Sequence, residues 1–196
     1  MAFSGSGAGT SGDPYQITSW AQLDEVRDDL TAHYLLMNDL GSGDTGYDTY
    51  ASSSANSGAG WEPIGVVGNN FSGTFDGDNH SISGLFIDRS STNFVGLCGS
   101  ILNAEIKNTS LLSVDITGQS AVGALVGGVD GNAAVIENCH SSGSVEGTAS
   151  IGGLAGRLSR SFTTDHVSFY KCSSSANVIA TSDNAGGLIG LAFAAI

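Results

Sequence analysis

Beyond residue 60 the apolar positions come in short runs separated by Gly, Ser and Asn, and those runs recur. Four segments align: Phe94-Val-Gly-Leu-Cys-Gly99, Val122-Gly-Ala-Leu-Val-Gly127, Ile151-Gly-Gly-Leu-Ala-Gly156 and Ala185-Gly-Gly-Leu-Ile-Gly190. Their leucines, Leu97, Leu125, Leu154 and Leu188, are 28, 29 and 34 residues apart. A second block follows as Ile106-Lys-Asn-Thr109, Ile136-Glu-Asn-Cys139 and Phe169-Tyr-Lys-Cys172, and a third holds Val114, Val145 and Val178. Each repeat therefore predicts three short β segments joined by turns. The distance from the first block to the second grows from 9 to 11 to 15 residues, which places the insertions in one corner, with 157–167 the longest. The four leucines, with Cys139 and Cys172, are expected to form an inward core ladder.

The upstream pattern differs. Asp13-Pro14 predicts a turn and Tyr15-Gln-Ile17 a strand. Ser19 and Gln22 form a capping box, and Trp20, Leu23, Val26 and Leu30 make an apolar stripe at helical spacing, predicting a helix over 19–30. Asp24, Glu25, Asp28 and Asp29 then lie on its solvated face. His33–Met37 reads as a second strand, and 38–60 as a long polar loop.

After residue 30 the helical period disappears, and no strand alternates long enough for a hairpin sandwich. Three strands per period of about thirty residues suit an all-β chain wound as a right-handed parallel β-solenoid of five or six coils, each pairing with the next. The helix 19–30 is placed to cap its N-terminal end. Residues 1–94 form the capped N-terminal part and 95–196 the repeats, within one continuous domain.

The repeats resemble the GLUG motif of bacterial surface and phage-associated proteins. The resemblance rests on Gly123-Ala-Leu-Val-Gly127 with Ile136-Glu-Asn-Cys-His140, and on Gly152-Gly-Leu-Ala-Gly156 with Phe169-Tyr-Lys-Cys172. Gly12-Asp-Pro-Tyr-Gln-Ile17, Asn38-Asp-Leu40, Trp61-Glu-Pro-Ile-Gly65 and Phe71-Ser-Gly-Thr-Phe-Asp-Gly77 are similar to the segment preceding such repeats. It implies a right-handed β-helix and leaves the task open among adhesins, enzyme-appended modules and virion proteins.

Composition narrows the choice. The chain has 29 Gly, 2 Pro and 13% charged residues, with 40% hydrophobic residues that argue against disorder. Its formal net charge is −13, and six basic residues cannot track a phosphate backbone, so nucleic acid is not an expected partner. No run of eighteen apolar residues predicts membrane insertion. The three cysteines, Cys98, Cys139 and Cys172, lack a C-x-x-C spacing and are expected to be small buried thiols. Cys139 and Cys172, equivalent in successive coils, are expected to stack; His140 points to the opposite strand face, so no catalytic thiol is expected.

The remaining chemistry is sparse. Asp76-Gly-Asp78-Asn79 lacks the later ligands of a calcium loop and reads as a tight turn. Asp39, Asp44 and Asp48 read as a solvated acidic loop. Lys107 and Lys171 stand isolated in the sequence, and no converging set of carboxylates suggests a polysaccharide-active enzyme. No cofactor, no metal and no enzymatic activity are expected. Candidate surface-binding residues are Tyr47, Tyr50 and Trp61 in or beside the long loop, and Arg157, Arg160, Phe162 and His166 in the longest corner insertion.

The first residues show no export leader, and residues 187–196 run apolar to the end. On these grounds the leading expectation is a structural or attachment part at a virion surface, such as a phage tail fibre, spike or capsid decoration. Its partners would be further copies of itself or virion proteins, with a host surface glycan or protein as ligand. A bacterial cell-surface adhesin is the alternative, and a polysaccharide-active β-helix enzyme the third.

Overall fold

Every strand pairing in the repeats is parallel, so each coil lies on the last one in register. The computed structural model describes residues 3–130, 133–159 and 167–193. The first sheet stacks Tyr15–Ile17, His33–Leu36, Thr74–Asp76, Glu105–Lys107, Val135–Glu137 and Ser168–Tyr170. The second stacks Ser81–Ser83, Ser110–Thr117, His140–Gly147 and Ser173–Ser174, joined by Phe86–Asp88 and Asn177–Ala180. The third holds Ser120–Gly123, Ala149–Gly152 and Ala185–Gly186, and the fourth Cys98–Ile101, Val126–Val129, Ala155–Leu158 and Ile189–Ala192. The chain visits the sheets in this order and then returns to the first. That is a parallel β-solenoid.

The core is a set of columns, because equivalent residues of successive coils fall directly on one another. In the first sheet the inward column is Tyr15, Tyr34, Phe75, Ile106, Ile136 and Phe169. The second block of the repeats, Ile106, Ile136 and Phe169, thus lies in a column that extends three residues further toward the N-terminus. Leu97, Leu125 and Leu154 are buried, while Leu188, in the last described coil, is half-buried. The third block needs a correction: Val145 pairs with Val178 but also with Ile116, not Val114. A register shift between Ser141 and Gly143 moves Val114 opposite Gly143, and both Val114 and Ile116 are buried. Ser113, in the left-handed region at φ 52°, makes the bulge that spacing alone did not show.

Glycine decides how the third and fourth sheets meet. A Cβ on Gly123 would lie 2.5 Å from the Val126 carbonyl oxygen and 2.7 Å from the Ala155 Cα. One on Gly127 would lie 2.4 Å from the Val95 nitrogen. Both contacts are to backbone, which cannot step aside. The two glycines that flank Leu125 thus allow the strands to touch main chain to main chain. Being buried on both faces, Val126–Val129 reads as an apolar and glycine run rather than an alternation.

A second device turns the corner from the first sheet to the second. Asn79, Asn108, Asn138 and Lys171 all take positive φ (66°, 52°, 51° and 53°), the left-handed geometry that Asn tolerates best among residues with a Cβ. The three asparagine side chains stack along the rod: the Asn138 amide donates to Asn108 Oδ1 at 3.0 Å and to Asn79 Oδ1 at 3.3 Å. The Asn108 amide donates to Asp76 Oδ1 at 3.0 Å.

The N-terminal helix is shorter than its periodicity predicts. Ser19 caps an α-helix over Trp20–Asp24, which tightens into a 3₁₀ turn over Glu25–Asp28. The tightening still keeps Trp20, Leu23 and Val26 fully buried. The long loop is not simply polar. It contains a helical turn at Tyr47–Tyr50 and a 3₁₀ turn at Ala55–Gly58, and Leu40, Ala51 and Ala55 are buried beneath it.

Candidate functional site

The aromatic residues expected to display a surface in the first loop are instead used to hold it down. Trp61 is fully buried, and its indole Nε1 donates to the Leu97 carbonyl at 3.0 Å. Its ring meets Trp20 edge-on at 6.2 Å, and the Arg27 guanidinium lies 4.8 Å from its centroid. Tyr47, half-buried, donates its hydroxyl to the Gly84 carbonyl at 2.7 Å and packs edge-on against Trp20. Tyr50 is also half-buried against the core. In a Gly- and Ser-rich loop these rings supply much of the apolar surface that anchors it to the core. Of the second set, Arg157 is half-buried with its guanidinium 5.3 Å from the Phe193 ring. Arg160, Phe162 and His166 lie outside the described residues.

The structure places its polar groups elsewhere, on the outer face of the first sheet. Because strand neighbours alternate in and out, each residue flanking the inward column points to solvent. One outer column runs His33, Thr74, Glu105 and Val135, and the next Leu35, Asp76, Lys107, Glu137 and Tyr170. Lys107, isolated in the sequence, is not isolated here. Its ammonium lies 3.0 Å from Glu105 Oε1 and 3.8 Å from Asp76 Oδ2. Hydrogen bonding to Glu105 raises its pKa, so it is held as a cation. His33, Thr74, Asp76, Glu105 and Lys107 line a shallow groove of about 210 Å³ closed on one side by Ser11 and Pro14. Lys171, the other lysine, sits 4.9 Å from the Tyr170 ring centroid. The sequence signal for this face is the polar pair around each inward residue (Thr74 and Asp76, Glu105 and Lys107), which resolves only once the register is known.

A larger groove of about 330 Å³ opens beside Arg89, lined by Pro63, Val66, Val67, Thr92 and Phe94. Val66 and Val67 are 58% and 54% exposed. Arg89 Nε donates to the Trp61 carbonyl at 3.1 Å and Arg27 Nη1 to the Glu62 carbonyl at 2.6 Å. The two arginines of the N-terminal half thus pin the strap that carries the groove.

Two acids of the first loop accept backbone amides, one from the next coil and one within its own turn. Asp39 Oδ1 accepts from the Ser81 amide at 2.7 Å and Asp44 Oδ2 from the Gly41 amide at 2.7 Å. Asp76 accepts from the Asp78 amide at 2.9 Å, which makes 76–79 the tight turn its sequence predicts. Among the described residues, no three His, Cys, Asp or Glu side chains gather closely enough to hold a metal ion. No helix among them is long and apolar enough to cross a membrane.

Comparison with known proteins agrees with this architecture. Residues 118–146 match the family described as the GLUG motif. The matched segment is one full turn of the solenoid: Glu146 at its end pairs with Thr117, just before its start. The chain is 36% identical over 157 residues to halomucin of Haloquadratum walsbyi, covering 78% of this chain and 2% of that protein. It is 40% identical over 129 residues to a protein of Evansella cellulosilytica named as a Gly-rich membrane protein, covering 64% of this chain and 14% of the relative. The chain thus spans a small part of each. Its fold is similar to the crystal structure of a Bacteroides ovatus protein named as an immunoglobulin A1 protease, with a TM-score of 0.71 at 19% identity. That likeness covers 95% of this chain and 64% of the other, and at this identity it speaks for fold alone. The chain thus carries a GLUG motif in residues 118–146, set within a parallel β-helix of stacked repeats.

Proposed function

We propose that this chain is a non-enzymatic structural and attachment module of a cell-surface protein, in which the stacked coils act as a rigid spacer and the loops and outer faces meet the surroundings. The observation that carries this is the pair of relatives, at 36% and 40% identity, whose names place them as a mucin and a membrane protein. The fold supports it: the features that repeat from coil to coil are columns, glycine contacts and an asparagine corner, all of which serve stacking. A segment that spans a small part of each relative gives its first residues no bearing on export, so they do not favour a virion fibre or decoration over a cell-surface protein.

One observation favours an enzyme as second reading, the gathering of His33, Asp76, Glu105 and Lys107 in one groove. Against it, Lys107 is held protonated by Glu105 and is unsuited to the base role a polysaccharide lyase requires.

The test is protease shaving of intact source cells, with peptide mass spectrometry of the released material and, in parallel, of purified virions. Peptides of this chain in the shaved fraction are expected. Stoichiometric peptides in virions and none from shaved cells would overturn the cell-surface reading. Depolymerisation of an acidic polysaccharide by the purified chain, abolished in Glu105→Gln, would overturn the non-enzymatic one.

A further inference from the structure

Cys139 and Cys172 follow the asparagine corner in successive coils. The register puts them side by side: Glu137 pairs with Tyr170 on one side and His140 with Ser173 on the other. Stacked neighbours of this kind have Cα atoms about 4.8 Å apart, within the roughly 4.4–6.8 Å that a disulfide spans. Both side chains face the interior. Cys139 is fully buried and Cys172 half-buried, and the two thiols are close enough to shift each other's ionisation. Each also reaches a carbonyl of the coil before it: Cys139 Sγ lies 3.6 Å from the Ile106 oxygen and Cys172 Sγ 3.3 Å from the Ile136 oxygen. The third thiol, Cys98, belongs to the fourth sheet and is buried elsewhere.

We infer that Cys139 and Cys172 are an oxidation site that closes into a disulfide between neighbouring coils. The pair has the order of reactivity such a reaction needs. The Cys172 thiol is the more exposed, and its interaction with Cys139 lowers its pKa, so it ionises first. The Cys139 thiol is pushed upward by the same interaction and by burial, so it stays protonated until its partner has reacted. The Cys172 thiolate attacks one sulfur of a small external disulfide, such as oxidised glutathione, and expels the first glutathione thiolate. Cys139, giving up its proton to solvent, then attacks the Cys172 sulfur and expels the second. Two protein thiols lose two protons and two electrons, and the external disulfide becomes two thiols.

The bridge spans the corner with the longest insertion, since residues 140–171 lie between the two cysteines. It would tie the last described coil, whose column residues Phe169, Val178 and Leu188 are only partly buried, to a coil whose equivalents are fully buried. The inference rests on register and contact and does not depend on the cell-surface reading, though an exported chain meets an oxidising environment in which such a bridge persists.

The test uses the purified chain equilibrated with oxidised glutathione, followed by thiol titration in denaturant and mapping of tryptic peptides. The free thiols are expected to fall from three to one, with a Cys139–Cys172 linked peptide lighter by two hydrogens. Cys98→Ser is expected to leave that linked peptide intact. Cys172→Ser is expected to leave both remaining thiols free, which shows that Cys98 does not substitute as partner. Three free thiols after equilibration would overturn the inference, as would a glutathione adduct resting on Cys172 without closure, or a bridge that includes Cys98.

Discussion

At the scale of single residues, the positions that matter most are those where side chain and backbone requirements coincide. Asn138 is one. It holds φ at 51° and also donates to Asn108 and Asn79. Asn138→Gly keeps the conformation and loses the amide ladder, which should cost about 1 kcal/mol for hydrogen bonds of this kind. Asn138→Ala loses the ladder and adds the left-handed penalty of a Cβ, a further 1–2 kcal/mol or so. Urea unfolding of the two variants should therefore rank Ala below Gly, the reverse of the order expected from backbone entropy alone. The corner was half legible in the sequence. The repeating Ile-Lys-Asn and Ile-Glu-Asn are visible, but Lys171 at the same place in the next coil hides that the column is set by φ rather than by chemistry. Trp61 shows the opposite failure. Its neighbours are Gly and Glu, and nothing local reveals that its ring closes the gap beneath Arg27 and reaches the Leu97 carbonyl.

At the scale of elements, spacing read the repeats correctly where each coil keeps the same length between blocks. It failed at the bulge of the second sheet, where Ser113 shifts the register so that Ile116, not Val114, stacks on Val145. The N-terminal helix kept its cap and its buried stripe but not its length, because a stripe of Trp20, Leu23 and Val26 is satisfied equally by a 3₁₀ turn. The glycine contact between the third and fourth sheets is an element-scale property with a sharp consequence. Gly127→Ala forces a methyl group against the Val95 nitrogen and should cost about 1–3 kcal/mol by overpacking. Ser168→Ala, at an exposed position of the first sheet, is the matched control and should leave the unfolding midpoint unchanged.

At the scale of the whole molecule, the candidate site was the least legible part, because outward neighbours become a face only after six strands are stacked. The ionisable groups inside that stack set an alkaline limit. Burial raises the Cys98 thiol to about 12 and raises Tyr34 well above the usual range for a phenol, while Glu105 raises Lys107. In each case the folded state keeps a proton that the unfolded chain releases first. Stability is then fully present below the unfolded pKa values and falls as pH rises through and beyond them, starting from about 8.5 for the thiol and about 10 for the phenol and ammonium. Chemical unfolding followed from pH 7 to 11 should show a flat region and then a decline that begins near pH 9. In Cys98→Ala the decline should become shallower, because only the raised Cys139 thiol remains to contribute from the same pH, even though the variant is less stable at neutrality.

The parallel stacking has a mechanical side. Hydrogen bonds that join one coil to the next run along the rod, so a pull between the two ends loads the boundaries in series and meets one ladder at a time. Such a rod yields coil by coil, each detached turn releasing about thirty residues of slack, some 100 Å of chain. A rod with these properties is stiff against small loads and lengthens in steps under large ones, and a covalent link between two neighbouring turns would take one such step out of the extension.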